Sequence, residues 1–172
     1  ETGYNAGSSR KPHLGPALSM ADIIALLYFK RMSIDPKDPK KIDRDRLVLS
    51  KGHACISLYA ALALKGFFAI DELKKLRTPQ GILQGHPDMN KTPGIDMTSG
   101  SLGNGIGAAV GIAISLKAKN ILANSYVILG DGELNEGVVW EAAQAAVKYQ
   151  LQNLKVFVDI NCLQSGGACC DV

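Results

Sequence analysis

Aromatic residues are scarce in this sequence, and neither sign of charge is in large excess. One Trp, five Tyr and four Phe occur in 172 residues, and the formal net charge is only +3. A nucleic-acid-binding surface needs basic residues that no acid neutralises and aromatic rings on which bases stack. In residues 30–51 the basic side chains are interleaved with aspartates. We therefore predict a solvated loop there and no nucleic-acid partner.

Cysteine is also sparse, and its four residues form neither a zinc-binding spacing nor a disulfide framework. Three of them crowd the C-terminal end at Cys162, Cys169 and Cys170. The sequence opens without a signal-peptide pattern, so a reduced, cytoplasmic setting is expected. Residues 97–116 carry no charge, but five glycines there favour a Gly-rich loop entering a buried helix over a membrane span. We predict no membrane partner.

The length and composition predict a single globular domain over residues 1–172. A hydrophobic share of 47% with 20% charged residues is typical of a chain that folds. The last third follows a strand, helix, strand pattern: residues 126–129, about 137–150, and 156–158. A crossover of this length joins parallel strands, so both strands should end at the same edge of a sheet.

Helix and strand signals also occur in the first two thirds. Ser19 with Asp22 matches a capping box before a helix that runs to about Met32. Residues 46–50 suit a buried strand, and residues 54–65 suit a helix. That helix should end at a glycine cap, Gly66, and a short polar helix over 71–77 should precede a long loop over 78–105.

Small residues recur at every fourth position from Gly103, through Gly107 and Gly111, to Ser115. One face of that helix would be nearly bare of side chains, so something should pack close to it. Tight packing on the domain's own sheet and a subunit interface are equally favoured explanations.

Two polar residues stand where the parallel strands of the last third should stop, Asp131 and Asn161. Ligands of open α/β sheets bind at the carboxyl ends of strands. A carboxylate and an amide oxygen are hard donors that suit Mg²⁺, and a backbone carbonyl near Leu163 could add a third. The helix that starts near residue 137 offers free N–H groups to an anion such as a diphosphate, which Gly130 and Gly132 would let approach. Lys51 could also meet a phosphate, although a solvated or paired role is favoured for it.

Six short motifs occur along the chain in a fixed order: LYFKRM at 27–32, DRDR at 43–46, SKGHA at 50–54, QGHP at 84–87, TSGSLG at 98–103 and GDGELNEG at 130–137. The Gly-Asp-Gly with the delayed Asn161 resembles the metal and diphosphate motif of thiamine-diphosphate enzymes. Together the six motifs resemble those of transketolases over almost the full length of the chain. The resemblance implies a doubly wound α/β fold with a mostly parallel sheet, helices on both faces, and a C-terminal end that is cut short.

The resemblance also implies a role for individual residues. Asp131 and the Asn161 side chain would hold Mg²⁺ or Ca²⁺ beside the carbonyl of Leu163, and Gly130 and Gly132 would contact the diphosphate. Gly100 and Leu102 would line the ring system of the cofactor. Glu136 would be the acid that links cofactor sites across a dimer interface.

All three histidines fall on transketolase motif positions. His13 and His53 match residues near the diphosphate and substrate, and His86 matches the residue that binds the donor's hydroxyls. Imidazoles suit such work because they donate hydrogen bonds and exchange protons near neutral pH. Two positions depart from the family pattern, Pro12 before His13 and Cys162 after Asn161.

The implied function is transfer of a two-carbon ketol unit between ketose and aldose phosphates, with thiamine diphosphate as cofactor. In transketolases a glutamate of the pyrimidine-binding domain activates the cofactor across a subunit interface. The resemblance therefore implies a partner half that carries this domain, and a homo- or hetero-oligomer. The alternatives are a deoxyxylulose-phosphate or dihydroxyacetone synthase-like enzyme, and a non-catalytic remnant that only binds or assembles.

Overall fold

The computed structural model describes residues 13–161, 163–164 and 167–168. Cys162, Cys169 and Cys170, singled out above, lie outside these residues. No helix in the described part is long and apolar enough to cross a bilayer. The helices and strands follow in chain order: α1 Leu14–Ser19, α2 Ala21–Leu26 with a π-helical turn Leu27–Arg31, β1 Arg46–Leu49, α3 Cys55–Lys65, α4 Asn104–Ala118, β2 Ser125–Gly130, α5 Gly137–Lys148, β3 Leu154–Asp159, β4 Leu163–Gln164 and β5 Gly167–Ala168.

Three of the strands form a parallel sheet in the order β1-β2-β3. The expected parallel pairing is confirmed, and Gly130 at the end of β2 lies opposite Asp159 at the end of β3. Short turns of 3₁₀-helix follow β1 at Gly52–Ala54 and β2 at Gly132–Asn135. The polar residues after β2 and β3 therefore emerge side by side at one edge of the sheet.

Helices cover both faces of the sheet, as the doubly wound prediction requires. Alternate residues of a strand point to opposite faces, so two cores form. Leu47 and Ile128 pack with α2 and α3, whereas Val48 and Val127 pack with α4 and α5. β1 and β2 are consequently buried along almost their whole length, whereas β3, at the edge of this sheet, exposes Lys155 and Val156.

The capping box predicted at Ser19 is wrong. The N-cap residue of α2 is Met20, and no side chain caps it. Ser19 ends a separate helix, α1, and its hydroxyl donates instead to Asp159 Oδ1 over 2.9 Å. The capping signal failed because a buried carboxylate 140 positions along the chain accepts the hydroxyl's hydrogen bond.

The solvated loop predicted over residues 30–51 agrees with the exposure of residues 40–43 but is wrong from residue 44 onward. Arg44 and Asp45 are buried. The Arg44 guanidinium pairs with the Asp96 carboxylate, which also accepts the Leu47 amide at 2.8 Å. Asp45 accepts the Ser33 amide at 2.8 Å and the Asn124 amide at 2.7 Å. Interleaved charges here connect the entry of β1 to distant loops rather than facing water.

The small-residue face of α4 does not pack on the domain's own sheet. Gly107, Gly111 and Ser115 are exposed, and a side-chain carbon placed on either glycine would meet nothing within 4 Å. Gly103 differs, because it lies at the start of α4 with φ +82° and close to Val138. Packing on the domain's own sheet is therefore excluded as the reason for small residues at 107, 111 and 115, and a subunit interface stays a prediction.

Candidate functional site

Three loops meet at the carboxyl edge of the sheet, and each follows a different strand. Residues 50–53 follow β1, Asp131 follows the last residue of β2 and begins the 3₁₀ turn, and Asn161 lies two residues after Asp159, the last residue of β3. The Asp131 amide donates to the Asp159 carbonyl over 3.2 Å, so the second and third loops are in direct contact. This is the edge at which open α/β sheets bind ligands.

Asp131 and Asn161 follow neighbouring strands, and both are partly buried. The Asp131 carboxylate accepts the Gly132 amide over 2.9 Å, which orients it at the start of the 3₁₀ turn. Leu163 begins the short antiparallel pair β4–β5 just beyond Asn161. The backbone path thus brings all three predicted metal-binding positions toward the same end of the sheet.

The three histidines come from separate segments and converge beside this edge. The rings of His13 and His53 meet edge to face, with centroids 5.6 Å apart. His86 packs near Gly100, where an added side-chain carbon would lie 3.6 Å from Cδ2 of His86. The three imidazoles are therefore near enough to influence one another electrostatically, although 73 residues separate the first from the last.

The surroundings of His53 and His86 favour the neutral form of these two imidazoles. Burial lowers the pKa of His53, and the nearby positive charges of His13, Lys51 and His86 lower it further. Burial also lowers the pKa of His86, with Arg77 and His13 as further causes. A neutral imidazole has one N–H donor and one acceptor nitrogen, so at neutral pH these rings can both give and take hydrogen bonds.

The predicted ring-lining residues sit on the loop before α4. Gly100 is exposed, Leu102 is 36% exposed, and both face away from the two cores. Between them and the β1 loop lies Ser99, which is buried and whose Oγ has no hydrogen-bond partner within the described residues. A buried hydroxyl without a partner is costly unless a ligand or water satisfies it. Pattern reasoning missed Ser99 because a serine in a Gly-rich loop carries no signal of burial.

Glu136 precedes α5 as its N-cap residue and is exposed. Its Cβ lies near the start of α4, where a side-chain carbon added to Gly103 would approach it to 2.9 Å. The predicted link to a second cofactor site stays a prediction, because it concerns contacts with another chain.

Lys51 forms a buried ion pair with Asp159. The sequence indicated that Lys51 could be paired but did not identify its partner. The favoured paired role of Lys51 is confirmed, but the lysine is 2% exposed rather than solvated. Its Nζ also approaches the Pro16 carbonyl at 3.4 Å, and the Ser19 hydroxyl holds the other carboxylate oxygen of Asp159. These contacts connect α1, the β1 loop and the end of β3, two residues before Asn161.

Tyr59 and Cys55 of α3 hold the loop that carries His86. The Tyr59 hydroxyl lies 3.0 Å from the carbonyl oxygens of both Gln84 and His86. Cys55 Sγ donates to the carbonyl between them, that of Gly85, over 3.3 Å. One helix thus fixes three consecutive carbonyls. These two residues were predicted only as part of an apolar helix, because their donor groups are invisible in a hydrophobic pattern.

Comparison with known proteins gives a consistent result. Residues 5–171 match the family described as transketolase, thiamine diphosphate binding domain. The 6-deoxy-6-sulfo-D-fructose transketolase subunit SqwG of Clostridium sp. (strain MSTE9) is 50% identical over 90% of this chain and 56% of its own length. An apulose-4-phosphate transketolase subunit of Actinobacillus succinogenes is 41% identical over 98% of this chain and 61% of its own length.

Solved structures agree with this result. The transketolase from Leishmania mexicana superposes with a TM-score of 0.84 at 37% identity, over 88% of this chain and 24% of that one. The chain spans little more than half the length of the curated subunits named above and about a quarter of this whole transketolase. The matching motifs, fold and relatives show that the chain belongs to the transketolase family, in its thiamine diphosphate binding domain.

Proposed function

We propose that this chain is the N-terminal, cofactor-binding part of a transketolase that transfers a two-carbon ketol unit between sugar phosphates. The observation that carries the proposal is the pairing of Gly130 with Asp159, which brings Asp131 and Asn161 to adjacent strand ends. The exposed N-terminus of α5 follows the same loop, and its free N–H groups favour an anion. A metal-bound diphosphate fits this combination of groups.

The donor set suits Mg²⁺ or Ca²⁺ better than a softer metal. Residues 13–161 contain no cluster of three His, Cys, Asp or Glu side chains that could hold a metal ion. A divalent ion would therefore rely on the Asp131 carboxylate, the Asn161 amide oxygen and the carbonyl of Leu163. Hard oxygen donors in this small number leave positions for water and phosphate oxygens, as Mg²⁺ prefers.

The histidines would act on the sugar rather than on the metal. Thiamine diphosphate, when bound, supplies the carbanion chemistry for the two-carbon unit. His86, beside Gly100, would hold donor hydroxyls, and the pair His13 and His53 would exchange protons near the diphosphate and substrate. The lowered pKa of His53 keeps that ring neutral at pH 7 and so able to accept a proton.

Activity would need a second polypeptide or domain that brings the pyrimidine-binding half. The two curated relatives described above are both named as transketolase subunits, and this chain matches little more than half of each. The working assembly would then be an oligomer in which each cofactor lies between unlike halves. The exposed face of α4, with Gly107 and Gly111, supports such close packing.

The substrates would be a ketose donor and an aldose acceptor that carry an anionic group. The relative at 50% identity is named for a sulfonated fructose, and the one at 41% for apulose-4-phosphate. A donor panel should therefore include a sulfonated ketose and phosphorylated ketoses. The phosphate- or sulfonate-binding residues are expected mostly in the partner half.

Trp140 allows a direct binding test. It is the only tryptophan, and its Nε1 donates to the Leu134 carbonyl over 2.9 Å, within the turn that follows Asp131. Thiamine diphosphate with Mg²⁺ should change Trp140 fluorescence in the chain, with and without a pyrimidine-domain partner. Asp131→Ala should weaken binding by at least about tenfold, because it removes the only carboxylate of the donor set. Asp71→Ala is the matched control, because Asp71 is an exposed aspartate in the separate 3₁₀ turn Ile70–Lys75.

Binding that is unchanged in Asp131→Ala would refute the metal site. A lack of binding with the partner present would favour the non-catalytic remnant. Activity with pyruvate and glyceraldehyde phosphate, but not with ketose donors, would favour the deoxyxylulose-phosphate synthase alternative.

A further inference from the structure

Glu133 is a buried acid to which neither the motif resemblance nor the site described above assigns a role. It lies in the 3₁₀ turn after β2 and is 1% exposed. Carboxylates are almost never fully buried unless their oxygens are paired. No salt bridge to Glu133 occurs among the described residues, so its oxygens must be satisfied by neutral donors.

Three donors do so, and each comes from a different loop. Oε1 accepts the Ser50 hydroxyl and the Gly103 amide, the latter over 2.6 Å. Oε2 accepts the Gly130 amide over 3.2 Å. Ser50 follows β1, Gly103 is the N-cap residue of α4, and Gly130 ends β2. One side chain therefore joins the three segments that carry the candidate site.

Both amides belong to segments that carry the candidate site. An N-cap N–H has no acceptor within its own helix, so the Gly103 amide depends on the carboxylate. Gly103 adopts φ +82°, a left-handed conformation that glycine tolerates, and its N–H donates to the buried Glu133 carboxylate. Gly130 stands one residue before Asp131, and Gly103 one residue after Leu102. The carboxylate of Glu133 thus sets the distance between the loop at Gly130–Asp131, which carries a predicted metal-binding residue, and the loop at Gly100–Leu102, which is predicted to line the cofactor's rings.

We propose that Glu133 is a positioning residue: its buried carboxyl group holds the Gly130–Asp131 loop and the Gly100–Leu102 loop at the separation that thiamine diphosphate with its metal requires. The proposal rests on the proposed function for the identity of the ligand. Glu133 would act through the amides of Gly103 and Gly130, to which its carboxylate is hydrogen-bonded.

Glu133→Gln tests this with almost no change of shape. The new amide nitrogen is a donor, and it must face either the Gly130 N–H or the Gly103 N–H, neither of which can accept. At least one of these two amides should lose protection from hydrogen exchange by about tenfold or more in ¹H–¹⁵N spectra. The amide of Ile128 in the centre of β2 should stay protected, because the sheet does not depend on Glu133.

The second measurement is calorimetric titration with Mg²⁺ and thiamine diphosphate, in the presence of the pyrimidine-domain partner. Glu133→Gln should weaken binding by about tenfold or more, although Asp131 and Asn161 are intact. Asp71→Asn, the same chemical change at an exposed carboxylate, should match the wild type in both measurements. Ser50→Ala removes one of the three donors and should weaken binding by about threefold, while the protection of both amides remains.

The outcomes separate this proposal from the proposed function. Wild-type amides of Gly103 and Gly130 that exchange freely would overturn the positioning role, even if no Glu133 variant folds. Unweakened binding in Glu133→Gln, with protection lost, would also overturn it and leave the proposed function standing. A wild type that binds no cofactor with the partner present would overturn both.

Discussion

Replacing Lys51 by Met should destabilise the fold far more than the same replacement at an exposed lysine. The side chains of Lys51 and Asp159 are 3% and 7% exposed, so neither charge is solvated once its partner is lost. Removing one member of a buried ion pair typically costs about 3–5 kcal/mol. The Ser19 hydroxyl still donates to Asp159, which favours the lower end of that range.

A loss of about 3 kcal/mol in a chain of this size corresponds to a fall in Tm of roughly 6–12 °C. Urea unfolding followed by circular dichroism would give the free energy directly, provided that the m-value is unchanged. Lys74 pairs with Asp71 at 81% and 79% exposure, so Lys74→Met should change stability by less than about 1 kcal/mol.

A double variant supplies the remaining control. With Asp159→Asn added to Lys51→Met, no buried charge is left alone, and part of the stability should return. If Lys51→Met costs no more than Lys74→Met, the pair does not form as described. The physical connection between α1, the β1 loop and Asn161 would then be refuted.

Three further predictions concern the loops around the site. Tyr59→Phe removes the hydroxyl that lies beside the Gln84 and His86 carbonyls and should lower the free energy of unfolding by about 1–2 kcal/mol. The imidazole NMR signals of His86 should shift. Unshifted signals would show that α3 does not hold the loop that carries His86. The pKa of His53 is lower in the folded chain than its usual value, so the unfolded chain takes up a proton at higher pH than the folded chain does. The free energy of unfolding should therefore fall as pH drops through about 6.5 and level off below the pKa of the folded state. His53→Gln should flatten part of that slope in urea titrations, and an unaltered slope would contradict the burial of this ring. Gly103→Ala should lower the free energy of unfolding by about 1–3 kcal/mol, because φ is +82° and the added side-chain carbon would lie 2.6 Å from a methyl carbon of Val138. Gly107→Ala on the open face of α4 should leave the free energy of unfolding unchanged or raise it by up to about 1 kcal/mol. Equal effects at the two glycines would refute the difference in packing.

Local patterns were sufficient where one short segment decides its own conformation. The apolar runs of β1, β2 and β3 and the glycine cap at Gly66, with φ +96°, were predicted correctly, because hydrophobic burial and left-handed backbone leave a direct signal in sequence. The parallel pairing of β2 with β3 followed from the length of the crossover alone. Parallel pairing in turn predicted the edge of the sheet at which Asp131 and Asn161 emerge.

Polar side chains were harder, because their partners lie far away along the chain. Ser19 had the spacing of a helix cap but donates to Asp159, and Arg44 looked solvated but pairs with Asp96. Glu133 stands in an obvious motif, yet nothing in the motif indicates that it collects donors from three loops. A buried polar group takes whichever partner the packing brings within reach, and that partner has no fixed sequence separation.

The amino-acid sequence by itself determined the α/β architecture, the parallel sheet and the motifs that identify the family, because these depend on periodicity and short-range backbone preference. Only the tertiary structure decided which charges are buried, which face of α4 is open and which side chains hold the site loops in place. The reason is physical: hydrophobic patterning acts residue by residue along a segment, whereas hydrogen bonds and ion pairs in a core are assigned only when separate segments meet.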